Sequence, residues 1–280
     1  MDYKTITTIV TDNTRARAAL ETAMSLAQET DAHLDVICLG VDQSQQGFYY
    51  AGASAMVIQD NLAQAKSDAD ALEAEMRQLL SAHPLPWSAT ALSAQSVTLN
   101  ALVAHRTRFS DLVVLPRPYG EGRGHEAEAI SEAALFEGNV PVLVLPDDMD
   151  SPVKSPKSVV VAWNESPEAL RAIRQAMPFL KRAESVSITV IDPPQHGPER
   201  SDPGGALSQM LARHGVRAEV SVLARTMPRI ADILNRHAGD KGADMIVMGA
   251  YGHSRFRESI LGGATRHMLE VAEVPILLAH

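Results

Sequence analysis

The sequence predicts an α/β protein of two tandem domains, each a doubly wound, five-stranded parallel sheet. Three observations indicate this class. Short, almost wholly apolar runs alternate with segments of helical periodicity, the two halves of the 280 residues repeat each other, and a polar segment separates them. Apolar strands are typical of parallel sheets covered on both faces, and right-handed crossovers then produce a doubly wound sandwich.

The internal repeat is visible residue by residue. A β-branched run that begins with a lysine opens each half, at Lys4 and at Lys157, and four residues of the following helix recur at an offset of 153. They are Ala16, Ala19, Ala23 and Met24 in the first half, and Ala169, Ala172, Ala176 and Met177 in the second. The segment 147–156 is polar and twice interrupted by proline, which is typical of a linker. We therefore expect domains at 1–146 and 157–280, joined by this linker.

The second half shows its elements most clearly. Apolar runs predict strands near 158–163, 186–191, 217–224, 244–249 and 274–279. Helical periodicity predicts helices near 166–182, 205–214, 227–241 and 262–273. The last two strands have counterparts in the first half, because Asp111 to Leu115 mirrors Asp244 to Met248, and Val140 to Val144 mirrors Val274 to Leu278.

One segment of the first half, 43–60, has no counterpart in the second. It carries Phe48, Tyr49 and Tyr50 and precedes a long helix expected at about 57–82. Its aromatic side chains either cap a pocket, contact a partner or fold onto their own domain as part of a loop.

Composition limits the classes of function. Residues 1–150 carry nine Lys and Arg against 21 Asp and Glu, whereas residues 151–280 carry 16 against 13, for a net charge of −9 over the chain. This acidic balance argues against nucleic acid as a partner.

No apolar run approaches the roughly 20 residues that cross a bilayer, and the N-terminal run does not have the pattern of a signal peptide. Cys38 is the only cysteine, so we expect it in the core of a protein located in the reducing cytoplasm.

A glycine pattern near the C-terminus is the strongest functional signal. Gly249 and Gly252 follow a predicted strand, and Gly262 and Gly263 precede a predicted helix. Glycines let the backbone approach a ligand closely, and the N-terminus of a helix presents free N–H groups to an anion. The alternative is that the glycines only form a tight turn after the strand.

The pattern G-x2-G-x9-G followed by a small residue, between a strand and a helix, resembles the nucleotide-binding signature of the universal stress protein family. The resemblance covers both halves apart from residues 43–60. It implies a Rossmann-like sheet with strand order 3-2-1-4-5 in each domain and a crevice between the carboxyl ends of strands 1 and 4. It also implies that the strands at 140–145 and 274–279 pair antiparallel, which makes the chain an internal pseudo-dimer. Whether two chains form a further homodimer is left open.

By this resemblance, the second domain binds ATP or AMP, with or without Mg²⁺. Two positions depart from the ATP-binding members, which usually have Ser or Thr where Gly263 stands and an acid where Asn164 stands. Asn164 retains hydrogen-bonding groups for a hydroxyl or a ring edge. Nearby, Ser166 is expected to cap a helix that has Pro167 at its first position, and Trp163 is expected in the core. The residues expected around the nucleotide are Ala162, Asn164, Met248, Gly249, Gly252, His253, Gly262, Gly263, Ala264 and Thr265.

The first domain is expected to keep the fold and to lack the site. When the halves are aligned, Pro116 stands opposite Gly249, and Glu128 stands opposite Gly262. Proline removes a backbone N–H donor, and a glutamate repels phosphate. We therefore expect one nucleotide site per chain, in the second domain.

Signatures of dedicated catalysts are missing from the sequence. It contains no P-loop, no G-x-S-x-G nucleophile elbow and no histidine pair at metal-ligand spacing. We expect a cytoplasmic stress-response or regulatory protein that binds nucleotide, has unidentified protein partners, is not an enzyme and at most hydrolyses ATP weakly. Two alternatives stay open: a stress protein that acts purely through protein contacts, and a slow ATPase.

Overall fold

A computed structural model describes residues 2–42, 55–120, 122–147, 149, 151–193, 201–250 and 263–280. Within these ranges the chain forms two compact units. The N-terminal unit comprises Tyr3–Pro116 and Glu121–Val140, and the C-terminal unit comprises Met1–Asp2, Arg117–Gly120 and Pro141–His280. The C-terminal unit therefore includes the last strand of the first half. The predicted sequence boundaries at 146 and 157 stay a prediction.

The N-terminal unit has four parallel strands in the order β3-β2-β1-β4. Its strands are β1 Thr5–Val10, β2 His33–Asp42, β3 Trp87–Gln95 and β4 Leu112–Pro116. Its helices are α1 Asn13–Thr30, α2 Ala55–Leu80, α3 Ser96–Thr107 and α4 His125–Glu132, the last continued by a π-helical turn at Ala133–Glu137. Cys38 is fully buried on β2 as predicted, and burial raises the pKa of its thiol to about 12.

The C-terminal unit has six strands in the order β5-β10-β9-β6-β7-β8. Its strands are β5 Val142–Leu145, β6 Ser158–Ala162, β7 Ser185–Ile191, β8 Ala218–Leu223, β9 Met245–Gly249 and β10 Ile276–Ala279. Its helices are α5 Pro167–Gln175, α6 Met177–Leu180, α7 Gly205–Arg213, α8 Ile230–Asp240 and α9 Ala264–Val271. The second half therefore has the predicted order 3-2-1-4-5, and its five strands pair in parallel.

Strand β5 pairs antiparallel with β10. The partners are Val144 with Ile276, Leu143 with Leu277 and Val142 with Leu278, and all six side chains are buried. An unpaired apolar strand at the edge of a sheet is an aggregation site. By pairing with each other, β5 and β10 each cover an edge that would otherwise be exposed. The predicted adjacency of the last strands of the two halves is confirmed.

An aspartate holds the start of the first strand in each half. Asp111 Oδ2 accepts hydrogen bonds from the backbone N–H groups of Lys4 at 2.7 Å and Thr5 at 3.0 Å. Asp244 accepts the corresponding bonds from Lys157 at 2.9 Å and Ser158 at 3.1 Å. Each aspartate precedes the fourth strand of its half, so the repeat seen in the sequence extends to individual hydrogen bonds. None of the helices within the described ranges is long and apolar enough to cross a membrane.

Helix α2 approaches strand β2 closely at Gly40. A Cβ atom on this residue would lie 1.8 Å from the carbonyl oxygen of Ala65 and 2.7 Å from its carbonyl carbon. Both are backbone atoms, so no side-chain rotation can make room. The residue at position 40 must therefore be glycine for the helix to pack at this distance.

We predict that Gly40→Ala lowers the free energy of unfolding by about 1–3 kcal/mol or more, because α2 must move away from the sheet. Gly239→Ala in α8 is a matched control, since nothing lies within 4 Å of a Cβ atom there. Alanine is the better helix former, so the control should be neutral or more stable by up to about 1 kcal/mol. Urea denaturation checks both variants, and equal effects of the two would contradict the close approach.

His237 is buried on α8 against the sheet. Its side chain is hydrogen-bonded through Nε2 to Ser187 Oγ at 3.1 Å, and Ser187 Oγ lies 3.1 Å from Ser221 Oγ. Burial and the nearby Lys241 ammonium hold the pKa of His237 below its ordinary value, and Asp240 and Glu219 act in the opposite sense. Folding therefore favours the neutral form of His237.

Because the folded state has the lower pKa, the unfolded state binds the proton more tightly. The contribution of neutral His237 to stability is therefore present above the ordinary pKa of histidine and is lost as pH falls below it. We predict that Tm falls less between pH 7.5 and pH 5 in His237→Gln than in the unsubstituted protein. In the control His214→Gln, at an exposed position, the fall in Tm should equal that of the unsubstituted protein. Thermal denaturation followed by circular dichroism measures Tm for all three proteins.

Candidate functional site

The candidate site lies where strands β6 and β9 end side by side. These strands are parallel neighbours, and Ala162 at the end of β6 is the register partner of Met248 near the end of β9. From β6 the chain continues through α5 to β7 on one side, and from β9 it continues to β10 on the other. Such a reversal opens a crevice at the carboxyl ends of the strands, where ligands bind in open α/β sheets.

The turn from β6 into α5 is built by side chains. Asn164 Oδ1 accepts a hydrogen bond from the N–H of Ser166 at 3.2 Å. Ser166 Oγ accepts one from the N–H of Ala169 at 3.1 Å and caps α5, with Pro167 in the first turn. The predicted cap is confirmed. The Nδ2 group of the exposed Asn164 can donate to a ligand, and its oxygen retains a second lone pair beside the one used in the turn.

Gly249 has a packing function that requires no ligand. A Cβ atom on it would lie 2.5 Å from the backbone nitrogen of Ala169 and 2.7 Å from the carbonyl carbon of Glu168. The end of β9 therefore contacts the first turn of α5 directly, backbone to backbone. The sequence suggested a close approach of the backbone to a ligand, whereas the structure shows a close approach to a helix.

Two buried polar atoms near the crevice have no hydrogen-bond partner in the described part of the chain. One is the indole nitrogen of Trp163, whose side chain is in the core as predicted with 9% of its surface exposed. The other is Oε2 of Glu168, in the first turn of α5. Buried polar groups normally have partners, so these two atoms can serve a ligand or water. Sequence reasoning missed Glu168, whose only signal was its position in the first turn of a predicted helix.

Helix α9 is strongly asymmetric at its two ends. Gly263 is its N-cap residue, and no side chain caps this end. At the other end, three successive carbonyl oxygens accept hydrogen bonds from side chains. Arg117 donates to Glu270 O at 2.9 Å and to Ala272 O, and Asn235 Nδ2 donates to Val271 O at 2.8 Å. A cation at the C-terminus is the favourable complement of the helix dipole.

The remaining predicted residues fall into two groups. Ala264 is exposed at the start of α9, and Thr265 is buried with 3% of its surface exposed. Gly252, His253 and Gly262 lie outside the described residues, as do Phe48, Tyr49 and Tyr50. No group of three or more potential metal-ligating His, Cys, Asp or Glu side chains occurs among the described residues.

The first half has carboxylates at the corresponding helix end. Helix α4 begins at His125 with Gly124 as its N-cap, and Glu126 and Glu128 lie in its first turn. The carboxylate of Glu126 folds back over Gly124, where a Cβ atom would lie 1.9 Å from Oε2. Measured from the strand that follows, α4 also begins five residues earlier than α9. This helix end already has negative charges of its own, which opposes the binding of a phosphate.

Comparison with known proteins identifies the domain that contains the crevice. Residues 156–280 match the model of the universal stress protein family. The second half of the chain is therefore similar to this family. The curated universal stress protein Slr1230 of Synechocystis sp. is 30% identical over 73 residues, which are 26% of this chain and 24% of that protein. The match thus spans about a quarter of the length of this relative.

Solved structures share the fold over nearly the whole chain. A universal stress protein from Archaeoglobus fulgidus aligns with a TM-score of 0.73 and 15% identity, over 98% of this chain and 95% of its own. A functionally unknown protein from Pseudomonas aeruginosa aligns with a TM-score of 0.64 and 14% identity, over 99% of this chain and 92% of its own. At these identities the likeness shows the fold alone, and it extends over both halves of the chain.

We predict that Gly249→Ala destabilises the protein by about 1–3 kcal/mol in the complete absence of nucleotide, because α5 must move away from β9. Urea denaturation of nucleotide-free protein measures the change, with Gly239→Ala as the control for glycine replacement. An unchanged midpoint of urea denaturation would show that the packing against α5 tolerates a side chain at position 249. Ligand binding would then be the remaining explanation for Gly249.

Proposed function

We propose that this protein is a cytoplasmic stress-response or regulatory protein whose second domain binds one ATP or AMP. The nucleotide would lie in the crevice at the ends of β6 and β9, with its phosphates toward the N-terminus of α9. The asymmetry of α9 supports this proposal most directly. Side chains satisfy its C-terminal carbonyls, whereas a glycine occupies its N-cap, and a phosphate is the natural complement of such a helix end.

The comparison of the two halves also supports a single site. In the second half, Gly263 begins a helix without a side-chain cap, whereas in the first half Glu126 and Glu128 occupy the first turn. The half that carries the glycines is also the one with the excess of basic residues, 16 Lys and Arg against 13 Asp and Glu. Both differences favour an anionic ligand in the second half only.

Each predicted site residue has a proposed place around the nucleotide. Ala162 and Met248 form the floor at the strand ends, and Asn164 offers its Nδ2 group to the ribose or the base. Gly263 and Ala264 offer N–H groups to the phosphates. Gly249 keeps α5 close to the site, and the buried Thr265 supports the helix. From the sequence alone, Gly252, His253 and Gly262 are assigned to the phosphate end, where Mg²⁺ would accompany ATP.

The protein is proposed to bind nucleotide as a signal and not to turn it over as a dedicated enzyme. No group of three or more potential metal-ligating side chains occurs among the described residues, and any hydrolysis of ATP is proposed to be slow.

A second function, action through protein contacts without nucleotide, is favoured by two observations. Gly249 has a complete packing explanation, and the oxygen of Asn164 is used within its own turn. The two functions differ in a direct measurement. Protein purified from cells and then denatured should release adenine nucleotide under the proposal and none under the alternative.

Isothermal titration of nucleotide-free protein with ATP is expected to give a stoichiometry near one per chain. The physical reason is that phosphates find an uncapped helix end in the second half and carboxylates in the first. A stoichiometry of two would contradict the assignment of a single competent half, and no heat or competition at millimolar ATP would contradict nucleotide binding itself.

The substitution Gly263→Asp tests whether the N-terminus of α9 binds phosphate or serves only as the start of the helix. Aspartate is a good N-cap residue, and its charge favours the helix dipole, so the free energy of unfolding should rise by about 0.5 kcal/mol. The same carboxylate repels phosphate and takes up N–H groups, so the Kd for ATP should rise at least tenfold, about 1.4 kcal/mol.

Gly263→Asn is the matched control for this experiment, because asparagine caps equally well without a charge. It should raise the Kd for ATP by less than threefold. Equal effects of Asp and Asn would mean that the phosphates do not face this helix end.

A further inference from the structure

Two of the three residues that follow β4, Arg117 and Tyr119, contact helix α9. The backbone N–H of Arg117 donates to Leu145 O at 3.0 Å, and the corresponding N–H in the second half, that of Ala250, donates to Ala279 O at 2.8 Å. Arg117 therefore occupies the position of Ala250, which is fully buried directly after Gly249 in the second half. Where the second half continues into its glycine motif, the first half carries Arg117, Pro118 and Tyr119.

The side chains of this segment contact α9 at two levels. The half-buried Arg117 guanidinium donates Nη1 to Glu270 O at 2.9 Å and Nη2 to Ala272 O, at the C-terminal end. The ring of Tyr119 lies against the guanidinium of Arg266, with 4.9 Å between its centroid and Cζ. Arg266 in turn donates Nε to Glu270 Oε1 at 3.0 Å, so the contact of Tyr119 leads through Arg266 to the residue whose carbonyl group Arg117 binds.

A helix of eight residues depends on such contacts. Isolated helices of this length are unstable in water, so packing and hydrogen bonds from other elements must hold α9 in place. Asn235 of α8 binds Val271 O, between the two carbonyl oxygens that Arg117 binds. An arginine fork donates two hydrogen bonds in fixed geometry, which sets the direction of the helix axis as well as its stability.

We infer that Arg117 and Tyr119 are positioning residues for helix α9, and through it for the nucleotide phosphates. The first half then contributes to the site of the second: the segment that corresponds to its missing glycine motif fixes the helix whose N-terminus receives the ligand. This inference rests on the proposed function for its ligand, but the positioning of α9 itself is measurable without nucleotide.

The test compares Arg117→Met with Arg77→Met. Arg77 is a matched control in the N-terminal unit, because its guanidinium also donates to a backbone carbonyl, that of Ala89 at 2.8 Å, and lies 5.9 Å from the ring centroid of Trp87. Amide hydrogen exchange of residues 264–272 is measured without nucleotide, and ATP affinity is measured by titration. Arg117→Met should speed exchange in α9 at least tenfold and raise the Kd for ATP at least fivefold, whereas Arg77→Met should change neither by more than twofold.

Two further variants guard against simple misfolding. Arg117→Lys keeps the charge but loses the fork, and it should restore part of the protection and part of the affinity. Tyr119→Leu removes the ring over Arg266 and should give the same local change as Arg117→Met at smaller amplitude. If Arg117→Met does not fold, these two variants carry the comparison with Arg77→Met.

The outcomes are distinct. Exchange in α9 within twofold of the unsubstituted protein would overturn the inference, as would faster exchange with an unchanged Kd for ATP. If the unsubstituted protein does not bind ATP, the proposed function fails, and exchange alone decides: a change confined to residues 264–272 in Arg117→Met, absent in Arg77→Met, supports the positioning of α9, and its absence overturns it.

Discussion

The antiparallel pairing of β5 with β10 is the interaction on which the C-terminal unit depends. It turns the last strand of the second half from an edge into an interior strand, with β9 on its other side. Because Arg117 is hydrogen-bonded to Leu145 at the end of β5, the same pairing carries the segment after β4 to helix α9. One ladder between two short apolar strands therefore organises both the sheet and the helix beside the crevice.

Much of this fold could be predicted from the sequence, because it depends on local patterns. Buried parallel strands are apolar on both faces, so the runs at Val159–Val161 and at Met245–Met248 are visible without any knowledge of their neighbours. Ser166 followed by Pro167 marks the start of α5 just as locally. The repeat of these patterns was enough to predict two domains and, with the family resemblance, the strand order.

The candidate site was less predictable, because its details depend on residues distant in the sequence. Nothing in the sequence near Gly249 indicates that its neighbour is the backbone of Ala169. The Arg117 guanidinium binds carbonyl groups more than 150 residues away. Conversely, the carboxylate of Glu126 reaches the position over Gly124 by folding back across two residues, which depends on a rotamer and not on a pattern.

The difference between Arg117 and Ala250 at corresponding positions of the two halves has a consequence for symmetry. In a symmetric homodimer of identical subunits, every substitution appears twice, so corresponding positions cannot carry different residues. Joining two copies in one polypeptide removes that constraint. Pro116 and Arg117 can then specialise in one copy while Gly249 and Ala250 are retained in the other. A tandem chain can therefore hold two versions of one position in a single sheet, which a homodimer of identical subunits cannot.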